Sequence, residues 1–142
     1  MKRICLVGLF VCLFIAEGFC QEALHRWRKM NQIRRDKFDL ILPHVMRENQ
    51  IDMWIIMNRE GHYDPLYPDM GGGYTTKNGY YIFTDKGGDR IERAVLGMHG
   101  YWIEETDAYD YFGSEEELKD FVTKRDPKRI GLNMSKNFGG AD

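Results

Sequence analysis

The chain has 142 residues, room for one domain, and its formal net charge of −2 argues against nucleic acid as a partner. Its cysteines, Cys5, Cys12 and Cys20, all lie at the extreme N-terminus. The rest of the chain therefore has neither a disulfide nor a thiolate metal site, and must hold itself together by its core.

The opening "MKRICLVGLFVCLFIAEGFC" has a basic start (Lys2, Arg3), an apolar stretch from Ile4 to Ala16, and small residues near Gly18 and Cys20. This is the anatomy of a secretory signal peptide over residues 1–20, with cleavage expected before Gln21 or, nearly as well, after Gly18. The apolar run is about 13 residues, short of the ~20 a membrane span needs, so no stable span is expected in the mature chain. The alternatives are an uncleaved N-terminal anchor and a lipoprotein on Cys20; Phe19 stands where lipidation needs a small residue. Lys2, Arg3 and Glu17 contribute +1 to the total, so residues 21–142 carry −3. An exported protein is expected, periplasmic or extracellular after cleavage.

From Gln21 to Asn49, Leu24, Trp27, Met30, Ile33, Phe38, Leu42, Val45 and Met46 recur mostly at three- and four-residue steps, which predicts helix. Pro43 should kink or divide it near Leu42. The basic cluster of Arg26, Arg28, Lys29, Arg34, Arg35 and Lys37 is interspersed with acids and reads as a solvated helix face. "IDMWIIMN", Ile51 to Asn58, is an unbroken apolar strand of the kind buried on both faces in the middle of an α/β sheet. A polar, Gly- and Pro-rich loop of roughly 20 residues follows, long enough to suggest function. "YYIFTD" and "RIERAVLG" flank a "KGGD" turn and predict a β-hairpin. "HGYWIEETDAYDYFG" is aromatic and acidic, with one or two short strands or loops expected. Ser114 and Glu117 form a capping-box pattern, Leu118, Phe121 and Val122 a buried stripe, and Asp126-Pro127 a stop. "RIGLNM" returns as a last strand. The order predicts a single layered α/β domain, a mixed sheet flanked by helices, with the last strand parallel to the first.

Few of the parts an enzyme needs are present. His25, His44, His62 and His99 stand in no metal-binding spacing. His62, Asp64 and Asp69 share the long loop and could in principle ligate a metal, but ordinary loop polarity is the better reading, since a closed site needs about four ligands in fixed geometry. "MGGGY" lacks the histidine and serine elbow of a hydrolase oxyanion strip. Glu104 and Glu105 would point to opposite faces of a strand. The most informative stretch is "MNREGHYDP", where a buried strand delivers Asn58, Arg59 and Glu60 to its carboxyl end, the edge at which open α/β sheets meet ligands. Arg59 carries a planar fork suited to a carboxylate; a solvated Arg–Glu pair is the competing reading.

"RRDKFDLILPHVMRENQIDMWIIMNREGHYDPLYP", then "GYYIFTDKGG" and "IERAVLG", then "RIGLNMSKNFGGAD" resemble the N-terminal domain of the creatinase/Xaa-Pro aminopeptidase (M24 metallopeptidase) superfamily, exported bacterial type. The resemblance spans about Ile33 to Asp142, with "RRDKFDLILPHVMRENQIDMWIIMNRE", Arg34 to Glu60, the specific part and the remainder supportive. It implies a creatinase/prolidase N-terminal domain-like fold. It also implies a second, pita-bread catalytic domain holding a dinuclear divalent metal site of two Asp, a His and two Glu, none of which can be placed on this sequence. The chain is thus expected to stop at the seam between two domains, with no cofactor of its own. The implied role is non-catalytic: to rim the active-site cleft, limit substrate length and support a homodimer. The implied partners are the catalytic domain, a second copy and a peptide substrate. Asn58, Arg59, Glu60, His62 and Tyr67 are assigned to the rim. The alternative is a stand-alone extracytoplasmic binding module using the aromatic-rich surface of Tyr63, Tyr67, Tyr74, Tyr101, Trp102, Tyr109 and Tyr111.

Overall fold

The computed structural model describes residues 21–134; the expected leader, residues 1–20, and residues 135–142 lie outside the described residues. The chain divides into two compact units after Ile33. In the first, residues 21–33 are helical (α1), Arg26 pairs with Glu22 one turn away, and Leu24, Met30 and Ile33 are exposed. Among the described residues no helix is long and apolar enough to cross a membrane.

The second unit begins with helical residues 34–36 and a π-helical turn, Lys37–Ile41, followed by α2, Leu42–Glu48. The expected disturbance at Pro43 takes this form. Proline has no N–H and its ring collides with the carbonyl four residues back. The backbone widens by one residue, and the Leu42 N–H reaches Lys37 O. Pro43 then sits in the first turn of α2, where its missing donor is harmless.

Five strands follow: β1 (Met53–Arg59), β2 (Asn78–Thr84), β3 (Glu92–Leu96), β4 (Tyr111–Gly113) and β5 (Ile130–Leu132). They lie in the order β4-β3-β2-β1-β5. β1/β2 and β2/β3 are antiparallel, while β1/β5 and β3/β4 are parallel. The mixed sheet, the hairpin and the parallel return are as expected. β1 has a strand on either side, though β2 holds the middle.

Strand alternation sends successive side chains to opposite faces. Ile56, Tyr81, Phe83 and Val95 join Phe38, Met46, Met70 and Ile103 in one core layer. Met53, Ile55, Ile82, Ala94 and Leu96 join Phe121 of α5 (Leu118–Arg125) in the other. The unbroken apolar run of β1 is thus covered on both faces. The capping box at Ser114 is present, with the Ser114 N–H donating to Glu117 at 2.8 Å, and α5 ends at Asp126 in a left-handed conformation before Pro127.

Three expectations change. Residues after His99 form a helical turn, α4 (Tyr101–Glu104), where strands or loops were expected; Gly100 at φ 127° starts it and Ile103 anchors it in the core. The long loop likewise holds a short helix, α3 (Tyr67–Met70). One-turn helices are too short to show a 3.6-residue period. The basic cluster is also not wholly a solvated face. Arg34 is only 7% exposed, and its guanidinium donates to Asp69 O at 2.6 Å and Pro68 O at 3.1 Å. Arg35 donates to Thr106 O at 2.7 Å.

Each helical layer is clamped to the sheet by an Arg fork. Arg47 of α2 grips Asp85 at 2.7 and 3.0 Å. Arg125 of α5 grips Glu92 of β3 at 2.5 and 2.8 Å and lies 3.2 Å from the Phe121 ring centre. The bonds from Arg125, then from Lys86, hold the Glu92 carboxyl below its ordinary value of 4.5.

Two outcomes are expected. Ile56→Ala removes a fully buried branched side chain from the larger core layer and should cost about 2–5 kcal/mol, read as a fall in the urea midpoint. Arg125→Met keeps packing on Phe121 but takes from Glu92 its main partner, leaving Lys86. Because the folded-state value of Glu92 is depressed, the stability gap between native and variant should be full near pH 7 and shrink as pH falls from about 4.5 into the depressed range. Urea midpoints at about pH 7 and about pH 3 measure it; a gap that widened in acid would refute the assignment.

Candidate functional site: an aromatic edge at the strand ends

β1, β3, β4 and β5 all finish at the edge of the sheet where β2 begins. The loop of residues 60–77 leaves β1 there and folds back over the Ile56 face. Its first turn is closed by paired backbone bonds, Arg59 N–H to His62 O at 3.1 Å and His62 N–H to Arg59 O at 2.9 Å, with Gly61 at φ 73°. The expected rim residues separate here. Arg59, Glu60 and His62 are exposed around this turn, and Tyr67 is half-buried.

Asn58 is fully buried beneath them. Its Oδ1 accepts the Asp64 N–H at 3.0 Å, while its Nδ2 has no hydrogen-bond partner. Asp64, also buried, accepts the Leu66 N–H at 2.8 Å on one oxygen and Asn133 Nδ2 at 3.0 Å on the other. Asn133 Oδ1 in turn accepts the Trp54 indole N–H at 3.0 Å. Both Asp64 oxygens are thereby committed to the fold.

The next stretch is held by its carbonyls. Arg34 takes Pro68 O and Asp69 O, the Tyr109 hydroxyl takes Met70 O at 2.5 Å, the Tyr81 hydroxyl takes Gly72 O at 2.5 Å, and the Tyr67 hydroxyl takes Gly73 O. Burial pushes the Tyr81 and Tyr109 phenols far above their ordinary value, so both stay protonated donors. Gly71, Gly72 and Gly73 have φ of 109°, 74° and 115°, a run of left-handed backbone that side-chain-bearing residues resist. Tyr74 then pairs with His99 through N–H to O bonds of 2.8 and 2.7 Å, joining the loop to the segment before α4.

The outer surface of this construction is aromatic. Tyr63 and Tyr67 rings lie 4.4 Å apart, Tyr74 lies 5.7 Å from His99 and 6.3 Å from Trp102, and Tyr101 lies 5.2 Å from Trp102. Gly72 fits between the two groups; a Cβ there would stand 3.5 Å from the Trp102 nitrogen and 3.6 Å from the Tyr67 hydroxyl. Tyr74, Trp102 and Tyr101 are 50%, 37% and 69% exposed. Of the aromatics expected on the surface, Tyr109 is instead packed between Phe38 and Tyr81, and Tyr111 bonds Glu117 away from this edge. His99 was missed from sequence, since only its backbone pairing with Tyr74 brings it here. Beside the edge, on the α2 face, an apolar groove of about 350 Å³ is lined by Phe38, Ile41, Val45, Trp54, Leu66 and Met70.

Among the described residues no group of three or more His, Cys, Asp or Glu converges. A dinuclear metal of the kind the family resemblance implies finds no donor set in them. No protein-family model, curated protein or solved structure matches the chain.

Tyr81→Phe leaves Gly72 O without its buried donor and should cost about 1–3 kcal/mol while preserving core packing. Limited proteolysis should show cutting within residues 60–77 before any other site. Unchanged stability and cutting would mean the phenol does not hold the loop.

Proposed function

We propose that this chain is a non-catalytic, peptide-contacting domain: the N-terminal domain of an exported creatinase/Xaa-Pro aminopeptidase-type metallopeptidase. In this reading it rims the cleft of a separate catalytic domain, and the assembly is a homodimer. The observation that carries the reading is the aromatic edge: Tyr63, Tyr67 and Tyr74 on a loop whose carbonyls are bonded from within, with Tyr101 and Trp102 of α4 beside them. Prolyl segments are stiff and pack well on aromatic faces. An edge made of strand carboxyl ends is where α/β sheets present ligands. Arg59, at the end of β1, has a fork suited to a peptide carboxylate. The sequence resemblance over Arg34 to Pro68 supports the family.

The same edge also favours a second reading, a stand-alone extracytoplasmic binding module. A cleft-lining domain needs only weak affinity for part of its ligand, whereas an independent module must bind alone.

The test uses the full chain, recovered after export and titrated with Xaa-Pro-containing tripeptides while the Trp102 and Tyr74 resonances are followed. Shifts confined to the aromatic edge are expected, weakened roughly tenfold by Trp102→Ala, a loss of about 1.4 kcal/mol. No peptide cleavage should occur with added Mn²⁺, Co²⁺ or Zn²⁺. Cleavage above a metal-only control would overturn the non-catalytic assignment. Binding indifferent to Trp102→Ala would overturn the edge. Micromolar binding by the chain alone would favour the stand-alone module.

A further inference from the structure

β5, like β4 at the other edge, is held to the sheet by a short attachment. It pairs with β1 over three positions only, Met53↔Ile130, Trp54↔Gly131 and Ile55↔Leu132. It is an edge strand whose apolar side chains Ile130 and Leu132 remain 41% and 52% exposed. Its entry is fixed by the Asp52 carboxylate, which accepts the Lys128 and Arg129 N–H groups at 2.7 and 2.9 Å. Its exit is fixed by Asn133, which bridges Trp54 and Asp64 at 3.0 Å each. Segments with little buried apolar contact open most readily.

The bridge is chemically demanding. The Trp54 indole can only donate, and the Asp64 carboxylate can only accept. A side chain between them must present an acceptor to one and a donor to the other. A primary amide does so in a single orientation. Asp64 passes the constraint on, since its other oxygen takes the Leu66 N–H and its own N–H is held by buried Asn58. Leu66 is the residue immediately before α3, whose carbonyls and Tyr67 ring build the aromatic edge.

We propose that Asn133 is a positioning residue that couples the seating of β5 on the sheet to the order of the aromatic edge. With β5 seated, Asn133 holds Asp64, and Asp64 holds the start of α3. When β5 lifts from β1, Asp64 loses the donor to one buried oxygen and the loop loosens at Asp64 to Leu66. Anything that docks on or draws away the chain at β5 therefore reaches the edge through one amide. This concerns the loop's order alone and stands whether or not the edge contacts peptides.

Amide hydrogen exchange of the full chain tests it. Asn133→Asp sets two carboxylates against each other and should speed exchange of the Asp64 and Leu66 amides at least about tenfold, with Ile56 and Ile82 changed less than about twofold. Asn133→Ala is the milder companion should that variant not fold. Adding Asp64→Asn to Asn133→Asp restores an amide–carboxylate pair with the roles exchanged: the new carboxylate still accepts from Trp54, and the new amide still accepts from Leu66. Exchange should return to within about threefold of the native rate. Gly131→Pro, which removes a β5 N–H and leaves the identities of Trp54, Asp64 and Asn133 unchanged, should reproduce the local acceleration. Unchanged exchange at Asp64 and Leu66, equal acceleration in the core strands, failure of the exchanged pair to restore, or indifference to Gly131→Pro would each overturn the coupling.

Discussion

The long loop stays on the sheet because buried phenols and one guanidinium meet its carbonyls. A backbone carbonyl taken out of water without a donor is costly, and this loop covers one core layer without forming a strand or a long helix that would pair its own groups. The donors come instead from Arg34, from Tyr81 on β2, from Tyr109 just before β4, and from Tyr67 in the loop itself. The same aromatic bodies build the core: Tyr109 packs with Phe38, Tyr81 and Phe83 at 6.0, 5.9 and 6.4 Å. Core packing and loop position are one arrangement. A ring that shifted to repack would withdraw its hydroxyl from the loop.

The opposite end of that layer carries a charged counterpart. Arg93 of β3 is buried, reaches Ala108 O at 3.5 Å, stacks 5.3 Å from the Phe38 ring centre and pairs with Asp39. Its Nε has no partner, so the ion pair does not recover the whole cost of burial. Phe38 and Asp39 both belong to the π-helical turn. Pro43 thus does more than interrupt a helix. The widened turn it imposes carries the ring that covers Arg93 and the carboxylate that neutralises it.

What could be read from the sequence was what repeats or punctuates. The apolar run of β1, the two strand runs flanking the Lys86–Asp89 turn, the capping box at Ser114 and the stop at Asp126-Pro127 are local signals, and each lies within a few residues of its place. α3 and α4 were not legible, because a single turn has no period and is stabilised by tertiary contact. Arg34 and Arg35 look like their solvated neighbours until α3 and α4 bring carbonyls to them. The loop stood out by its length, and its aromatics by composition. Which of them share a surface was not: Tyr109 and Tyr74 are alike in sequence and differ only in where the sheet puts them.

Asn58 shows why the edge is better understood from beneath. An amide at the end of an apolar strand invites assignment to the surface, beside Arg59 and Glu60. It is buried because β1 stays paired through Arg59, and alternation turns residue 58 toward the covered face. A buried amide is tolerated when it organises something. Here it holds the Asp64 amide, Asp64 holds Leu66 and Asn133, and α3 follows. Each link is a directional bond, and the first, from Asn58 to Asp64, is buried, where misplacement is expensive. The aromatic rings at the surface inherit that rigidity. For the peptide-contacting role proposed above this matters, because an edge ordered in advance would bind through a few aromatic contacts where a mobile loop would lose that gain to ordering.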